Sequence, residues 1–415
     1  MVAQELLEVF YAPHRAFRKI VQNPKFIGSL LIVVIFVAVQ VGSAYVVASK
    51  SYLEQTMPTG EQGDTWTENA ALWQASQGVT IANNHADYIN GSAFYYNNTS
   101  IEFIADNATG VQIFLSDFGS SVNCGADGFK NLSIRVKAVS PAAVPENVTL
   151  YLLSLTPANF FTYDLTRAFS NTTVLGQHMW NNITVPVGTT DWASSNSDAS
   201  WNNITGVRVD FNWPTSSSID LRVDGLFFRG PYRGSFGVYG SAVLINSALN
   251  SVTPFLFQWL LLTALMYLLI KGLKGNIIWK TVMVAVGFAL VTLIIQSLIL
   301  LVAYTTLSKV NYPLEILANI PGESVVAYEA VQTTIAQVLL IGSIVQIAIW
   351  VWLFGLGTFI TRAVTAIAPS SPVGSTPAEG EVPMGFQQFS WLKCMLVSVA
   401  SLALTVTILG FLGIG

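Results

Sequence analysis

The chain has 415 residues, of which 10% are charged and 52% hydrophobic, an imbalance that argues against an ordinary soluble protein. The formal charge of −4 hides a division: residues 51–235 carry 16 Asp/Glu against 8 Lys/Arg, and the rest 7 against 11. An acidic middle argues against nucleic acid as a partner and against docking of that region on anionic headgroups.

Residues 1–25 place Leu6, Leu7, Phe10, Phe17 and Ile20 on apolar faces, with Pro13 breaking the run. That pattern predicts an amphipathic helix on the inner membrane surface. Glu5 and Glu8 precede the basic cluster, and the following apolar run is too long for a cleavable signal peptide. Five runs approach the roughly 20 apolar residues that a span requires: Phe26–Ala48, Thr253–Ile270, Thr281–Thr305, Ile335–Ile360 and Leu392–Leu412. Residues 239–252 either extend the second or lie along the interface. The spans hold no Asp or Glu, and their one base, Lys393, sits at an end. Gln40, Gln258, Gln296, Gln332, Gln337 and Gln346 are then expected to bond between helices or toward a partner subunit.

Arg15, Arg18, Lys19 and Lys25 precede the first span, Lys271, Lys274 and Lys280 fill the second connection, and Arg362 follows the fourth span. The positive-inside rule puts these in the cytoplasm. The N-terminus is then inside, and the loop 306–330, the region after the first span and the C-terminus are outside. Nine Asn-X-Ser/Thr sequons agree with this, because all fall between the first two spans: Asn90, Asn97, Asn98, Asn107, Asn131, Asn147, Asn171, Asn182 and Asn203. Covalent N-glycans on that region are expected, although adjacent Asn97 and Asn98 should not both carry one. Two cysteines, Cys124 outside and Cys394 in a span, should stay unpaired. Glycosylation without disulfides on an acidic chain suggests an archaeal cell surface.

Residues 49–83 read as a polar stalk with helical character around Trp66–Trp73. Over 84–235 the period changes to two. Leu132, Ile134 and Val136 alternate with polar residues, as do Val207, Val209 and Phe211, and then Ile219, Leu221 and Val223. Further strands are expected at 100–105, 110–118, 147–155, 159–165 and 178–187. Eight short strands between Asn/Gly/Pro/Ser turns predict an all-β sandwich of jelly-roll type. Residues 236–413 supply the other four helices of an α-helical membrane bundle, with a Pro-rich cytoplasmic loop at 363–388.

Chemistry is sparse. Only His14, His85 and His178 are present, with no HExxH, Cys-X-X-Cys, Gly-X-Ser-X-Gly or P-loop, so no cofactor, metal ligand set or catalytic group is assigned and a non-enzymatic protein is expected. Aspartates in 115–127 or near Asp224 offer oxygens for a structural Ca²⁺, against the plainer reading of solvated turns. Trp180, Trp192 and Trp201 form a candidate ligand platform if their faces are open, and core packing if they are not.

The opening Phe10-Tyr-Ala-Pro13-His-Arg-Ala-Phe17-Arg-Lys-Ile20-Val-Gln-Asn23-Pro24 resembles the start of the YIP family of Ypt/Rab-interacting membrane proteins. The five spans and the Ile347–Gly357 stretch are similar too. The resemblance covers roughly 6–50 and 236–413 and implies a five-helix bundle. The large insert after the first span departs from it, and the family's link to GTPases and vesicle traffic is not expected to carry over to a prokaryotic chain.

A second resemblance lies in Trp180-Asn-Asn-Ile183-Thr-Val-Pro-Val, Trp192, Trp201-Asn-Asn-Ile204-Thr-Gly-Val-Arg-Val-Asp-Phe211 and Ile219-Asp-Leu-Arg-Val-Asp224-Gly-Leu-Phe-Phe-Arg-Gly230. These runs are similar to carbohydrate-binding jelly rolls, which implies architecture more than ligand.

The expected function is binding or scaffolding at the cell surface, as an accessory subunit of a membrane or envelope assembly. Membrane lipid and a membrane-protein partner or second copy are the expected contacts. A neutral-solute channel with an external cap would need a polar path through the bundle. A membrane-anchored carbohydrate-active enzyme would need two facing carboxylates about 5–10 Å apart in a cleft.

Overall fold

The structure is a computed structural model that describes residues 2–169, 180–366 and 389–413. The chain forms two compact units. One comprises Met1–Lys50, Ser235–Lys309 and Thr334–Gly415, and the other Ser51–Gly234 with Val310–Thr333.

The first unit is helical. Among the described residues, five helices are long and apolar enough to cross a membrane: Phe26–Lys50, Ala242–Gly272, Trp279–Thr305, Glu323–Ala366 and Trp391–Phe411. Residues 242–252 extend the second helix. The fourth has 44 residues; at 1.5 Å per residue it runs about 66 Å, roughly twice the hydrocarbon thickness. It begins at Glu323, within the segment expected as an external loop.

Apolar side chains point both ways from these helices. Ile32, Trp259, Met266, Phe288, Leu353 and Val397 meet in a buried core, while Val34, Leu268, Val302, Ile347 and Leu392 face outward. An outward Leu or Val costs nothing against lipid tails, and every backbone group within a helix is satisfied internally. Gln40 donates from Nε2 to Ser297 Oγ at 3.1 Å, joining the first and third of these helices. The cavity between Leu262, Met266, Leu353, Ile360 and Ser401 holds only about 10 Å³.

The N-terminal segment is two helices, Val2–Tyr11 and Pro13–Gln22. Pro13 takes a first-turn position, where its missing N–H is harmless. Glu8 and Lys19 pair at 2.6 Å across the break. The second helix is amphipathic, but Phe17, Ile20 and Val21 are buried in the helical core rather than left for a membrane surface.

The second unit is a large, mainly antiparallel β structure of 11 strands. In chain order the strands are β1 (Ser51–Met57), β2 (Gln74–Ala75), β3 (Val79–Asn84), β4 (Ser100–Leu115), β5 (Asn131–Ser140) and β6 (Asn147–Ser154). After these come β7 (Thr156–Asp164), β8 (Asn181–Pro186), β9 (Ala193–Ser194), β10 (Ile204–Gly234) and β11 (Val310–Tyr312). The runs expected as separate strands at 100–105 and 110–118 are one strand, and 204–213 and 218–228 are another. Both lose register near Gly110 and Asn212. Before that break β10 lies between β4 and β6; after it, between β4 and β5.

The period-2 residues Val207, Val209, Phe211, Ile219, Leu221 and Val223 all enter one core with Ile101, Phe103, Leu132 and Leu150. Each such side chain contributes about 1.5–3 kcal/mol by leaving water. Cys124 is buried in this core, where desolvation pushes its thiol up to about 12. Both cysteines are free.

Residues 51–84 are not a stalk. β1 pairs with β10 and β11, and β3 pairs with β4. The expected loop at 363–388 continues the fourth helix to Ala366, and its remainder lies outside the described residues.

Buried ion pairs tie Val310–Thr333 into this unit. Arg229 forms fork-to-fork bonds to Glu54 (2.9 and 2.8 Å) and also to Glu315. Burial pushes the Glu315 carboxyl up, but the bonds and charge of Arg229 outweigh it and hold it below the usual range. Arg135 is fully buried and donates to both Glu323 oxygens at 3.0 and 2.8 Å, and to the Tyr96 hydroxyl.

Candidate metal centre

Asp64, Glu68 and Asp224 place one carboxylate oxygen each within 4.8 Å of one another. Asp64 and Asp224 are both 1% exposed, and Glu68 is half-buried. Three acids this close should repel strongly and resist burial.

The loop after β1 brings the first two acids in, and its tryptophans hold it there. Trp66 stacks on Phe118 with ring centroids 4.1 Å apart and donates from Nε1 to the Phe118 carbonyl. Trp73 donates to the Trp66 carbonyl at 2.7 Å. Asp224 comes from the second half of β10. Gly63 (φ +64°) and Gly225 (φ +56°) adjoin Asp64 and Asp224, and both sit in the left-handed region that favours glycine. A Cβ on Gly225 would also lie 2.7 Å from the Tyr96 ring.

Hydrogen bonds satisfy only part of the cluster. Asp224 accepts from the Ile89 and Gly225 amides, both at 2.7 Å, and Asp64 accepts from the Asn97 amide at 3.2 Å. The Thr67 hydroxyl donates to the Asp64 carbonyl at 3.1 Å and accepts from the Gly225 amide. Asp64 Oδ2 and Glu68 Oε1 are buried with no hydrogen-bond partner. Desolvation, then repulsion by Asp224, pushes Asp64 up to about 8. Desolvation and the Asp64 charge push Glu68 up to about 7, and desolvation above all pushes Asp224 up to about 7.

A second acidic group shows the contrast. Asp87 pairs with Lys137 at 2.7 Å and with Arg222, and Arg222 also reaches Glu102 at 2.8 Å. Those acids have bases against them. Asp64, Glu68 and Asp224 have no ion pair among the described residues, so they must take up protons or a cation. An all-oxygen set with orphaned carboxylate oxygens suits a hard cation, Ca²⁺ or Mg²⁺, with water or backbone oxygens completing the shell. Asp224 was expected as a calcium candidate; the loop 115–127 contributes none of the three acids. No sequence motif marks Asp64 and Glu68, whose segment reads as a polar stalk.

The tryptophans do not form an open platform. Trp192 is buried, and Trp201 stacks on Phe161 with centroids 3.9 Å apart while Trp192 meets its edge. Their faces are spent on the core, the plainer of the two sequence readings. Trp180 packs apart from them, beside the Ile89, Tyr96 and Phe227 cluster.

The sequon asparagines Asn90, Asn97, Asn98, Asn107, Asn147 and Asn182 are exposed, and Asn131 and Asn203 half-buried. Asn171 lies outside the described residues. Asn182 donates from Nδ2 to Glu323 Oε2 at 2.8 Å.

No family model and no curated protein matches this chain. Among solved structures, it is similar to a family 11 carbohydrate-binding module from Clostridium thermocellum in complex with a mixed-linked tetrasaccharide. The identity is 12% and the TM-score 0.26, over 42% of this chain and 94% of the module. A β-1,2-glucanase from Parabacteroides distasonis matches at 11% identity and TM-score 0.26, over 39% of this chain and 24% of the enzyme.

Proposed function

We propose that this chain is a non-enzymatic cell-surface membrane protein, with a YIP-like helical anchor and a glycosylated external β sandwich that binds a protein partner. The observation that carries this reading is an open groove of about 370 Å³ in the β unit, lined by Ile316, Asn319, Ser324, Val325, Tyr328 and Gln332 among others. Val325 and Tyr328 leave large apolar surface exposed there, as binding surfaces do. Buried Arg135–Glu323 and Arg229–Glu315 pairs hold the segment that carries it, so the surface is pre-organised.

The competing readings have less support. A channel calls for a polar path, and the void between Leu262, Met266, Leu353 and Ser401 inside the helical unit holds only about 10 Å³. A glycosidase calls for two open facing carboxylates, which the buried Asp64 and Asp224 do not supply.

Two measurements test the proposal. Photo-crosslinking from position 328 in intact cells should give one discrete protein adduct, either a partner or a second copy, that is lost with Val325→Asp. Diffuse lipid adducts alone would refute the groove. Glycopeptide mapping should find modified asparagines only between Asn90 and Asn203, and never Asn97 and Asn98 together. An unmodified chain from its native membrane would remove the external topology.

A further inference from the structure

At one end of the helical unit a cavity of about 600 Å³ is lined by His14, Arg15, Arg18, Gln22, Arg362 and Trp391, with Phe359 and Ala363 beside them. The basic residues come from the helix Pro13–Gln22 and from the last turns of the fourth span, and Trp391 opens the fifth. We propose that this cavity binds a phosphate-bearing anion, either the headgroup of an anionic phospholipid or a soluble phosphate ester.

Three guanidinium groups lining one cavity repel one another, and a bound anion offsets that repulsion. Among the described residues none of the three has an ion pair. The neighbouring Lys19 does have one: Glu8 occupies it at 2.6 Å. Arg362 lies over the Trp391 ring, its Cζ 3.9 Å from the ring centroid. That stacking spends the face of the guanidinium and leaves its edge of N–H donors for a planar or tetrahedral oxyanion. Phe359 meets Trp391 edge-on with centroids 5.8 Å apart, which gives the charged wall an apolar flank. Arginine forks with an adjacent apolar wall suit phosphate oxygens attached to a less polar body. The volume falls within the range of small-molecule sites. The inference concerns the helical unit alone and does not depend on the external groove.

The test uses the full chain in nonionic detergent. Native mass spectrometry with added phosphatidylglycerol or phosphatidylcholine should show the anionic lipid retained about tenfold more. The Arg15→Gln/Arg18→Gln double variant should lose that preference by about tenfold; both side chains are exposed, so circular dichroism should show an unchanged fold. Arg362→Lys should weaken retention less than Arg362→Gln, since it keeps charge but not the stacked fork. In a parallel arm, line broadening of the glycerol phosphate ³¹P signal reports soluble esters. Loss of broadening in the double variant, without a lipid preference, would assign the site to a soluble ester. Equal retention of both lipids together with no broadening by the parent chain would overturn the proposal. So would full retention by the double variant.

Discussion

Replacing Arg229 by alanine should destabilise the β unit by about 3–5 kcal/mol, because it strands two acids that the fold has taken out of water. Glu54 is 3% exposed and accepts both Arg229 forks as well as the Leu314 amide. Glu315 uses its two oxygens on the same guanidinium. With the cation gone, Glu54 must protonate or draw water into a packed site. Thermal unfolding followed by tryptophan fluorescence is the measurement, since Trp66, Trp73 and Trp213 sit in the core that would open. Adding Glu54→Gln and Glu315→Gln to the alanine variant should recover part of the loss, which a general packing defect would not. A loss below about 1 kcal/mol would mean that water already screens the cluster.

Chelation should destabilise the same unit, and more so as the pH rises. In the metal-free chain Asp64 titrates at about 8, and Glu68 and Asp224 at about 7, against roughly 4 for unfolded carboxyls. The folded chain therefore binds more protons than the unfolded one across that window. The stability these acids lend is fully present below about pH 4 and is lost as pH rises through about 7 to 8. Between about pH 5 and about pH 8 each of the two fully buried acids, Asp64 and Asp224, should account for a metal-free loss on the order of 3 kcal/mol. A divalent cation replaces the protons, so added Ca²⁺ should raise the melting temperature at pH 8 and do little at pH 5. At a hundredfold excess over its dissociation constant it supplies about 2.7 kcal/mol. Asp64→Asn should be more stable than the parent in chelator at pH 8 and should not respond to Ca²⁺. A parent chain whose melting temperature ignores Ca²⁺ at both pH values would rule out the centre.

The elements legible in the sequence were those with a local signature. Apolar runs marked all five long helices, and alternation marked β5 and both halves of β10. Boundaries set by tertiary partners were not legible. The strand Ser51–Met57 has no strong period and is a strand because β10 and β11 flank it. Glu54 and Arg229 are 175 residues apart, and no spacing rule joins them. The acidic centre was half legible for the same reason: Asp224 sits in an obvious strand, while Asp64 and Glu68 lie on a loop positioned by two core tryptophans. Trp192 and Trp201 could be read either way, because the chemistry that stacks a sugar also stacks a phenylalanine.

The division of the chain has a consequence for proteolysis. The β unit is joined to the helical unit at four points, after Lys50, Gly234, Lys309 and Thr333. A protease that nicks one connection leaves the other three intact, and the paired strands and ion clusters hold the cut ends in place. Release of the β unit from the helical unit should therefore require all four connections to be severed.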